Sequence, residues 1–202
     1  MQSFYDHTEE QREALTLRSI AEKRSLTERW VSLGLEESSG WDTRAALAAK
    51  LLEDQFSVAD LGCGIMLLEK HLDRAVGYYP IDIVARDKRT IVCDFNKEVL
   101  PETDAGSVAC LGLLEYLLYP GLFLRSLAAQ YPVAVISYCI TDAPRPLKPR
   151  RAHGWVNDFS CEQLEQQFIV AGWEVCQTEM VDEVQRIWRL NRRPVQLGIH
   201  QL

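Results

Sequence analysis

The apolar residues recur with two different periodicities along the chain, and the first of these is helical. Over residues 8–53 apolar side chains recur at loose helical spacing. The stretch 25–28 has the form of a helix-capping box, with Gly34 as the expected end of its helix. A second box at 39–42 precedes an alanine-rich run over 44–52, a composition typical of helix. The first quarter of the chain is therefore predicted to be helical.

The second pattern begins at residue 56, where short apolar runs rich in β-branched residues alternate with helical segments. Such alternation predicts parallel strands joined by right-handed crossovers, with helices on both faces of the sheet. The predicted strands lie at 56–60, 75–79, 90–93, 107–111 and 132–139, with helices at 65–72 and 122–130.

The end of the chain departs from this alternation. A capping box at Ser160 and Gln163 begins a helix that Gly172 ends, and two strands follow at 173–180 and 184–190. Their connection is so short that only an antiparallel pair can be joined by it. The sequence therefore predicts a Rossmann-like three-layer α/β sandwich, whose mostly parallel seven-stranded sheet carries a C-terminal antiparallel hairpin.

Length and composition fit one domain with an appendage. The 202 residues, 47% of them hydrophobic, suffice to bury one core. We expect an N-terminal helical arm or cap over 1–54, the sheet domain over 55–192 and a poorly ordered tail over 193–202. The chain has no apolar run of about 18 residues and no signal-peptide profile at its start, so we expect a cytoplasmic protein without a membrane span.

The net charge and the spacing of the cysteines argue against several classes of function. The net charge of −7 argues against a nucleic-acid partner, which normally requires a basic face. The six cysteines include no Cys-x-x-Cys pair, so we expect neither a metal site nor a redox dithiol. One stretch, 145–151, is basic and proline-rich within this acidic chain.

The sharpest chemical signal is Val58-Ala-Asp60-Leu-Gly62-Cys-Gly64, a strand that ends in an acid and turns through two glycines into a helix. The glycines let a ligand approach the backbone, and a helix N-terminus offers free N–H groups. A dinucleotide-binding fingerprint requires a glycine where the chain has Leu67, and it has no need of Asp60. A ligand with a cationic amino group and no pyrophosphate fits better, and S-adenosylmethionine has that character.

From these residues on, the chain resembles the class I S-adenosylmethionine-dependent methyltransferases over about residues 56–190. The segment from Asp60 through Gly62 to Gly64 is similar to the first motif of that family, with Met66 where many members have a third glycine. The resemblance implies an S-adenosylmethionine cofactor whose methionine part lies against the glycine turn.

Three later segments extend the resemblance. Asp82 ends the second strand, where a carboxylate accepts hydrogen bonds from both ribose hydroxyls. The resemblance implies that Asp94 binds the adenine amino group and that Phe95 supplies a backbone N–H or a flat surface. It also implies that the segment around Leu114 lines the floor beneath the methyl group, with Tyr116 at a position that is often histidine in the family.

The acceptor side is predicted from the loop before the last helix, which commonly faces the acceptor in the family. His153 is the candidate general base, because histidine takes up a proton near neutral pH, although a merely solvated histidine remains the alternative. Arg150 belongs to the basic stretch, which we expect to attract an acidic or phosphorylated acceptor. The other candidates are Tyr116 as a catalytic residue and Tyr138, Trp155 and Asn157 as substrate-binding residues.

Three functions remain open from the sequence. The expected one is a methyltransferase acting on a small-molecule or sugar-type acceptor, with no metal required. The alternatives are a non-catalytic methyltransferase-like binding module and a nicotinamide-dependent oxidoreductase, which Leu67 and Asp60 disfavour. Trp41 is either a hydrophobic staple of its helix or part of a lid over the cofactor, and the oligomeric state is left open.

Overall fold

The structure is a computed structural model that describes residues 3–31 and 40–194. A 3₁₀ turn at Phe4–Asp6 precedes helix α1 (Glu9–Ala21), whose first turn is closed by a capping box of Thr8 and Gln11. Helix α2 spans Glu28–Val31 and helix α3 spans Trp41–Leu51. The predicted helix end at Gly34 and the cap at Ser39 lie outside the described residues.

The seven described strands form one sheet in the order β3-β2-β1-β4-β5-β7-β6. Strands β1 to β5 run parallel, whereas β7 is antiparallel to both β5 and β6. The predicted sandwich and its terminal hairpin are therefore confirmed. The strands are β1 (Ser57–Leu61), β2 (Gly77–Asp82), β3 (Ile91–Val92), β4 (Ser107–Leu111), β5 (Val133–Cys139), β6 (Trp173–Met180) and β7 (Gln185–Arg192), and the remaining helices are α4 (Leu67–His71), α5 (Pro120–Gln130) and α6 (Cys161–Val170).

Two elements differ from their predicted bounds for reasons that shape the site. Strand β2 runs on to Asp82 because it pairs with β1 from Gly77 to Ile81 and with Val92 of β3 at Asp82. Helix α4 begins two residues later than predicted, because the backbone at Met66 is still left-handed with φ of 57°. At the carboxyl edge of the sheet, the first difference shortens the loop after β2 and the second lengthens the loop after β1.

Helices cover both faces of the sheet. Phe123, Leu124 and Phe168 of α5 and α6 are buried on one face, in a cluster with Val108 and Trp188. The other face is covered by α3 and α4, whose buried Ala48, Leu51 and Leu68 pack with Val58 and Ile187. Burial of this apolar area is the main stabilising contribution to the fold.

Residues 3–31, called the arm below, are tied to a loop that lies far away in sequence. The Arg12 guanidinium donates to the carbonyl of Ala152 at 2.9 Å, and the Thr16 hydroxyl donates to the carbonyl of Arg151 at 2.8 Å. Both carbonyls belong to a 3₁₀ helix at Arg150–His153. The arm and the loop before α6 therefore form one side of the cleft described below.

Candidate functional site

The glycine turn after β1 is held closely against the end of β2. Gly62 and Gly64 have φ of 72° and 51°, a left-handed backbone that favours glycine. The N–H groups of Gly62 and Cys63 both donate to the carbonyl of Ile81, and the Gly64 N–H donates to Asp82 Oδ2 at 2.9 Å. The N–H groups of the turn itself are therefore already bound by the end of β2. What the turn offers a ligand is a bare, fixed backbone.

A two-lobed cleft opens at the carboxyl ends of β1, β2 and β4. The first lobe has a volume of about 650 Å³ and contains Asp82, Asp94 and Phe95; the second has about 560 Å³ and contains Asp60 and Gly64. Four residues line both lobes and mark the place where they meet: Trp30, Gly62, Gly112 and Tyr116. The predicted cofactor-binding residues Asp60, Gly62, Gly64, Asp82, Asp94 and Phe95 thus lie in one continuous cleft.

Leu114 is the predicted cofactor-binding residue that lies elsewhere. Its side chain is fully buried in the core, whereas Leu113 lines the first lobe. Leu113 Cδ1 lies only 3.2 Å from the position that a Cβ on Gly62 would occupy. Leu113 and not Leu114 therefore faces the cleft, after a sharp turn through Gly112 with φ of 69° at the end of β4.

Asp60 is a buried carboxyl at the wall of the second lobe. It is 2% exposed and its Oδ2 accepts a hydrogen bond from the Tyr78 hydroxyl at 2.7 Å. Burial raises the pKa of Asp60 to about 7, because desolvation outweighs the favourable effects of Tyr78 and Arg44. A cation in this lobe would offset that desolvation.

Arg44, which the sequence did not single out, brings a positive charge into the second lobe. One of its terminal nitrogens, Nη1, lies 2.5 Å from where a Cβ on Gly112 would stand, so the guanidinium occupies space that only glycine leaves free. Its Nε is buried without a hydrogen-bond partner, and burial lowers the pKa of Arg44. The guanidinium also lies 5.5 Å from the ring of Trp41, which itself lines the lobe.

Trp41 is the first residue of α3, and its position in the second lobe favours the lid interpretation over the staple.

Helical spacing is the signal in the sequence that could have identified Arg44 as a residue of the site. Arg44 lies one helical turn before Ala48, which is buried, so helical spacing places Arg44 on the inward face of α3.

Asp82 links the first lobe to the arm. Its Oδ1 accepts hydrogen bonds from the Val84 N–H at 3.0 Å and from Arg86 Nη2 at 3.1 Å. The other terminal nitrogen of Arg86 donates to the carbonyl of Trp30 at 3.1 Å. The carboxylate at the end of β2 is therefore coupled through one arginine to the residue that stands between the lobes.

Asp94 has a second contact with the arm. Its Oδ1 accepts a hydrogen bond from the Ser25 hydroxyl at 2.5 Å and one from the Asn96 N–H at 3.1 Å. Ser25 was predicted to cap α2. That interpretation is wrong, because its hydroxyl is drawn to the carboxylate of Asp94, 69 residues away in sequence.

Tyr116 is the one predicted acceptor-side residue that reaches the cleft. Its ring packs edge-to-face on Trp30 with centroids 4.7 Å apart, and its hydroxyl accepts a hydrogen bond from Trp155 Nε1 at 3.1 Å. Burial raises the pKa of Tyr116 well above its ordinary value, so the phenol stays protonated at neutral pH.

The predicted substrate-binding residues Tyr138, Trp155, Asn157 and Arg150 lie behind the cleft wall rather than in it. The Tyr138 hydroxyl donates to Asn157 Oδ1 at 2.7 Å and accepts from Arg150 Nη2 at 2.8 Å. The Asn157 amide donates to the carbonyls of Leu114 and Leu117. This buried network fixes the loop that carries Tyr116. Its hydrogen bonds occupy these polar groups, so they are not available to a ligand.

The basic stretch is largely neutralised within the protein. Arg150 and Arg151 both bind Asp158, at 2.7 and 2.6 Å, and Arg145 pairs with Glu183 at 2.8 Å. His153 lines neither lobe. It is half-buried against the ring of Trp155, and burial together with nearby arginines lowers its pKa.

Two further findings concern the described part of the chain. Among residues 3–31 and 40–194, no group of three or more His, Cys, Asp and Glu side chains is placed to hold a metal ion. Over the same ranges, no helix combines the length and the apolar character needed to cross a membrane.

Comparison with protein-family models and with curated proteins gave no match. Solved structures did match. The Burkholderia thailandensis 1,6-didemethyltoxoflavin-N1-methyltransferase, solved with its namesake compound and S-adenosylhomocysteine, is 16% identical with a TM-score of 0.62, over 90% of this chain and 89% of that chain. An O-methyltransferase from neocarzinostatin biosynthesis, solved with S-adenosylhomocysteine and 1,4-dihydroxy-2-naphthoic acid, is 16% identical with a TM-score of 0.58, over 91% and 69%.

A Nostoc punctiforme protein assigned as an O-methyltransferase is 15% identical with a TM-score of 0.61. The match covers 77% of this chain but only 58% of that protein, so the chain spans less than two thirds of its length. At such identities the likeness establishes the fold: the chain has the fold of the class I S-adenosylmethionine-dependent methyltransferases, as the sequence motifs indicated.

Proposed function

We propose that the two-lobed cleft binds S-adenosylmethionine and that the protein transfers its methyl group to a small-molecule acceptor. The observation that carries this proposal is the distribution of charge between the lobes. The first lobe offers two carboxylates, Asp82 and Asp94, to a neutral nucleoside with hydroxyl and amino donors. The second offers Asp60 and Arg44, opposite charges that complement the zwitterionic end of an amino acid.

The residues present fit that cofactor. Asp82 would accept from the ribose hydroxyls and Asp94 from the adenine amino group, with the ring of Phe95 as a flat neighbour. In the second lobe, Arg44 would bind the carboxylate, because its buried Nε lacks a partner and its guanidinium lies against Gly112, which lines that lobe. The ammonium group would lie near Asp60, whose pKa of about 7 such a cation would lower.

S-adenosylmethionine supplies an activated methyl group, so the protein's part is to position the reactants and to exclude water. The two lobes meet between Trp30 and Tyr116, whose aromatic rings form an apolar wall at that point. Electron-rich ring faces favour a nearby cation. Tyr116, protonated at neutral pH, would serve as a wall and hydrogen-bond donor and not as a base.

The acceptor is proposed to be a small molecule, as it is for the two neighbours solved with toxoflavin- and naphthoic-acid-type compounds. Sugar-type acceptors remain within the proposal. An anionic acceptor gains no support from Arg150 and Arg151, because both are paired with Asp158. His153 would have to move to act as a base, since it lines neither lobe.

One observation favours a second candidate, a module that binds the cofactor without catalysis. Among the described residues that line the two lobes there is no histidine and no lysine, so no strong base faces the place where they meet. Acceptors that need a base to remove a proton would then react slowly. The chain would act through cofactor-dependent binding alone.

Titration calorimetry separates these functions. We expect S-adenosylmethionine and S-adenosylhomocysteine to bind the full chain one-to-one, and NAD to give no heat. Methyl transfer from labelled cofactor to a library of phenols, amines and sugars then distinguishes the enzyme from the module. Absence of heat with both adenosyl ligands contradicts the proposal, and binding without transfer to any acceptor supports the module.

A further inference from the structure

A donor and an acceptor stand side by side at the far end of the first lobe. Ser25 and Asp94 both line that lobe, and the Ser25 hydroxyl lies 2.5 Å from Asp94 Oδ1. Ser25 belongs to the arm and Asp94 follows β3. The pair therefore forms only when the arm is docked over the sheet domain.

Asn96 fixes the direction of the Ser25 hydroxyl. Its amide Nδ2 donates to Ser25 Oγ at 2.8 Å and to the carbonyl of Tyr116 at 3.0 Å, while its Oδ1 accepts from the Leu118 N–H at 2.8 Å. The amide orientation is set by these backbone partners. Because Asn96 donates to the serine oxygen, the serine proton points away from Asn96, toward Asp94, and Ser25 acts as a donor.

Asp94 is held as an acceptor. Besides Ser25, its carboxylate accepts from the Asn96 N–H and pairs with Lys97 at 3.3 Å. Both partners are donors, so they leave the carboxylate in the role of acceptor. The edge that the protein presents to the first lobe is thus one fixed donor beside one fixed acceptor.

We propose that Ser25 and Asp94 together read the edge of the adenine base, with Ser25 donating to ring nitrogen N1 and Asp94 accepting from the exocyclic amino group. This inference rests on the proposed function. Adenine carries an acceptor at N1 beside a donor at its amino group, which is the complement of the serine–aspartate pair. When the base enters, the serine proton turns from the carboxylate to N1, and the amino group takes its place on Asp94.

The consequence is that the arm takes part in nucleobase recognition. A base whose N1 carries a proton, such as hypoxanthine, cannot accept the serine proton at N1 and presents a carbonyl oxygen to the Asp94 carboxylate, so the first hydrogen bond is lost and the second contact becomes unfavourable. Bound adenine would in turn hold Ser25, and with it the arm, against the sheet domain. The arm would then recognise the base specifically and not merely cover the cleft.

The experiment combines a change in the protein with a change in the ligand. Calorimetry measures binding of S-adenosylhomocysteine and of its 1-deaza analogue, in which a C–H replaces N1, to the wild-type chain and to Ser25→Ala. The wild type is expected to lose about fivefold to tenfold in affinity when N1 is removed, the loss of one hydrogen bond. For Ser25→Ala, removal of N1 from the ligand is expected to lower the binding affinity by less than about twofold.

Two control variants separate base reading from simple loosening of the arm. Thr16→Ala removes the bond from the arm to the carbonyl of Arg151, between two residues that line neither lobe, and is expected to weaken the binding of both ligands by the same factor. Ser25→Thr keeps a hydroxyl and is expected to keep the preference for N1. Thermal unfolding in the absence of ligand establishes that each variant is folded.

The outcomes are distinct. If the wild type binds both ligands equally, or if removal of N1 costs the same in Ser25→Ala as in the wild type, Ser25 does not read the base; the second result would assign N1 to the Phe95 N–H instead. If S-adenosylhomocysteine itself fails to bind the wild type, the proposed function fails and this inference fails with it.

Discussion

Replacing Asp60 by asparagine is expected to make the protein more stable and a poorer cofactor binder at once. Asp60 is buried, and its pKa in the folded chain is about 7, against an ordinary value of 3.8. Asparagine has nearly the same shape and can still accept the hydrogen bond from Tyr78. The substitution therefore removes a desolvated charge and little else.

The size of the effect follows from the pKa and depends on pH. Below about pH 4 the Asp60 carboxyl is protonated in both the folded and the unfolded chain, so the variant is little more stable than the wild type. Between pH 4 and 7 the unfolded chain releases its proton while the folded chain keeps it, and the wild type loses stability as the pH rises. Above pH 7 the difference is complete. A shift of about 3 pKa units corresponds to about 4 kcal/mol as an upper value.

Urea denaturation of wild type and variant at pH 4, 6 and 8 measures this directly. We expect a difference in the free energy of unfolding below about 1 kcal/mol at pH 4 and of several kcal/mol at pH 8. Asp54→Asn is the matched control: Arg189 lowers the pKa of the exposed Asp54 to about 2, so this variant is expected to lose stability at pH 8.

The same variant reports on the cofactor. If Asp60 lies beside the ammonium group, affinity for S-adenosylhomocysteine is expected to fall at least tenfold in Asp60→Asn, and wild-type affinity is expected to rise with pH through about 7. A variant that is no more stable than the wild type at pH 8 would refute the burial reasoning. One that is more stable but binds as tightly would remove Asp60 from the site.

Two further variants test the rest of the cleft. Arg44→Met is expected to weaken S-adenosylhomocysteine at least tenfold in calorimetry and to leave 5′-methylthioadenosine, which lacks the amino-acid end, unchanged; equal losses for both ligands would count against the carboxylate contact. Gly62→Ala is expected to cost roughly 1–3 kcal/mol in urea denaturation, from backbone strain and from contact with Leu113. Gly172→Ala, with positive φ but open space around it, is the control and is expected to cost less; an equal cost would mean that Leu113 adds nothing.

The sheet domain was predictable because its signals are local. Strands β4 and β6 were predicted with their bounds, since each is a short run of strand-forming residues between turn signals. The carboxylates at residues 60, 82 and 94 could be assigned to one edge because parallel strands place their carboxyl ends together. That inference requires chain order and no side-chain detail.

The arm and the acceptor side were not predictable in the same way. Ser25 has a good capping pattern, and nothing in its neighbourhood in sequence indicates a carboxylate 69 residues away. Tyr138 lies on a strand that is buried on both faces, so alternation along the strand gives no direction for its side chain. Arg150 looked exposed because it stands in a basic stretch, but Asp158, eight residues later, binds it.

The most direct test of the central claim is a crystal structure of the full chain grown with S-adenosylhomocysteine. The account predicts density for one molecule across both lobes, with adenine at Asp94 and Ser25, ribose at Asp82, the sulfur between Trp30 and Tyr116, and the carboxylate at Arg44. A ligand bound outside this cleft, or a cleft left without it at saturating concentration, would contradict the account.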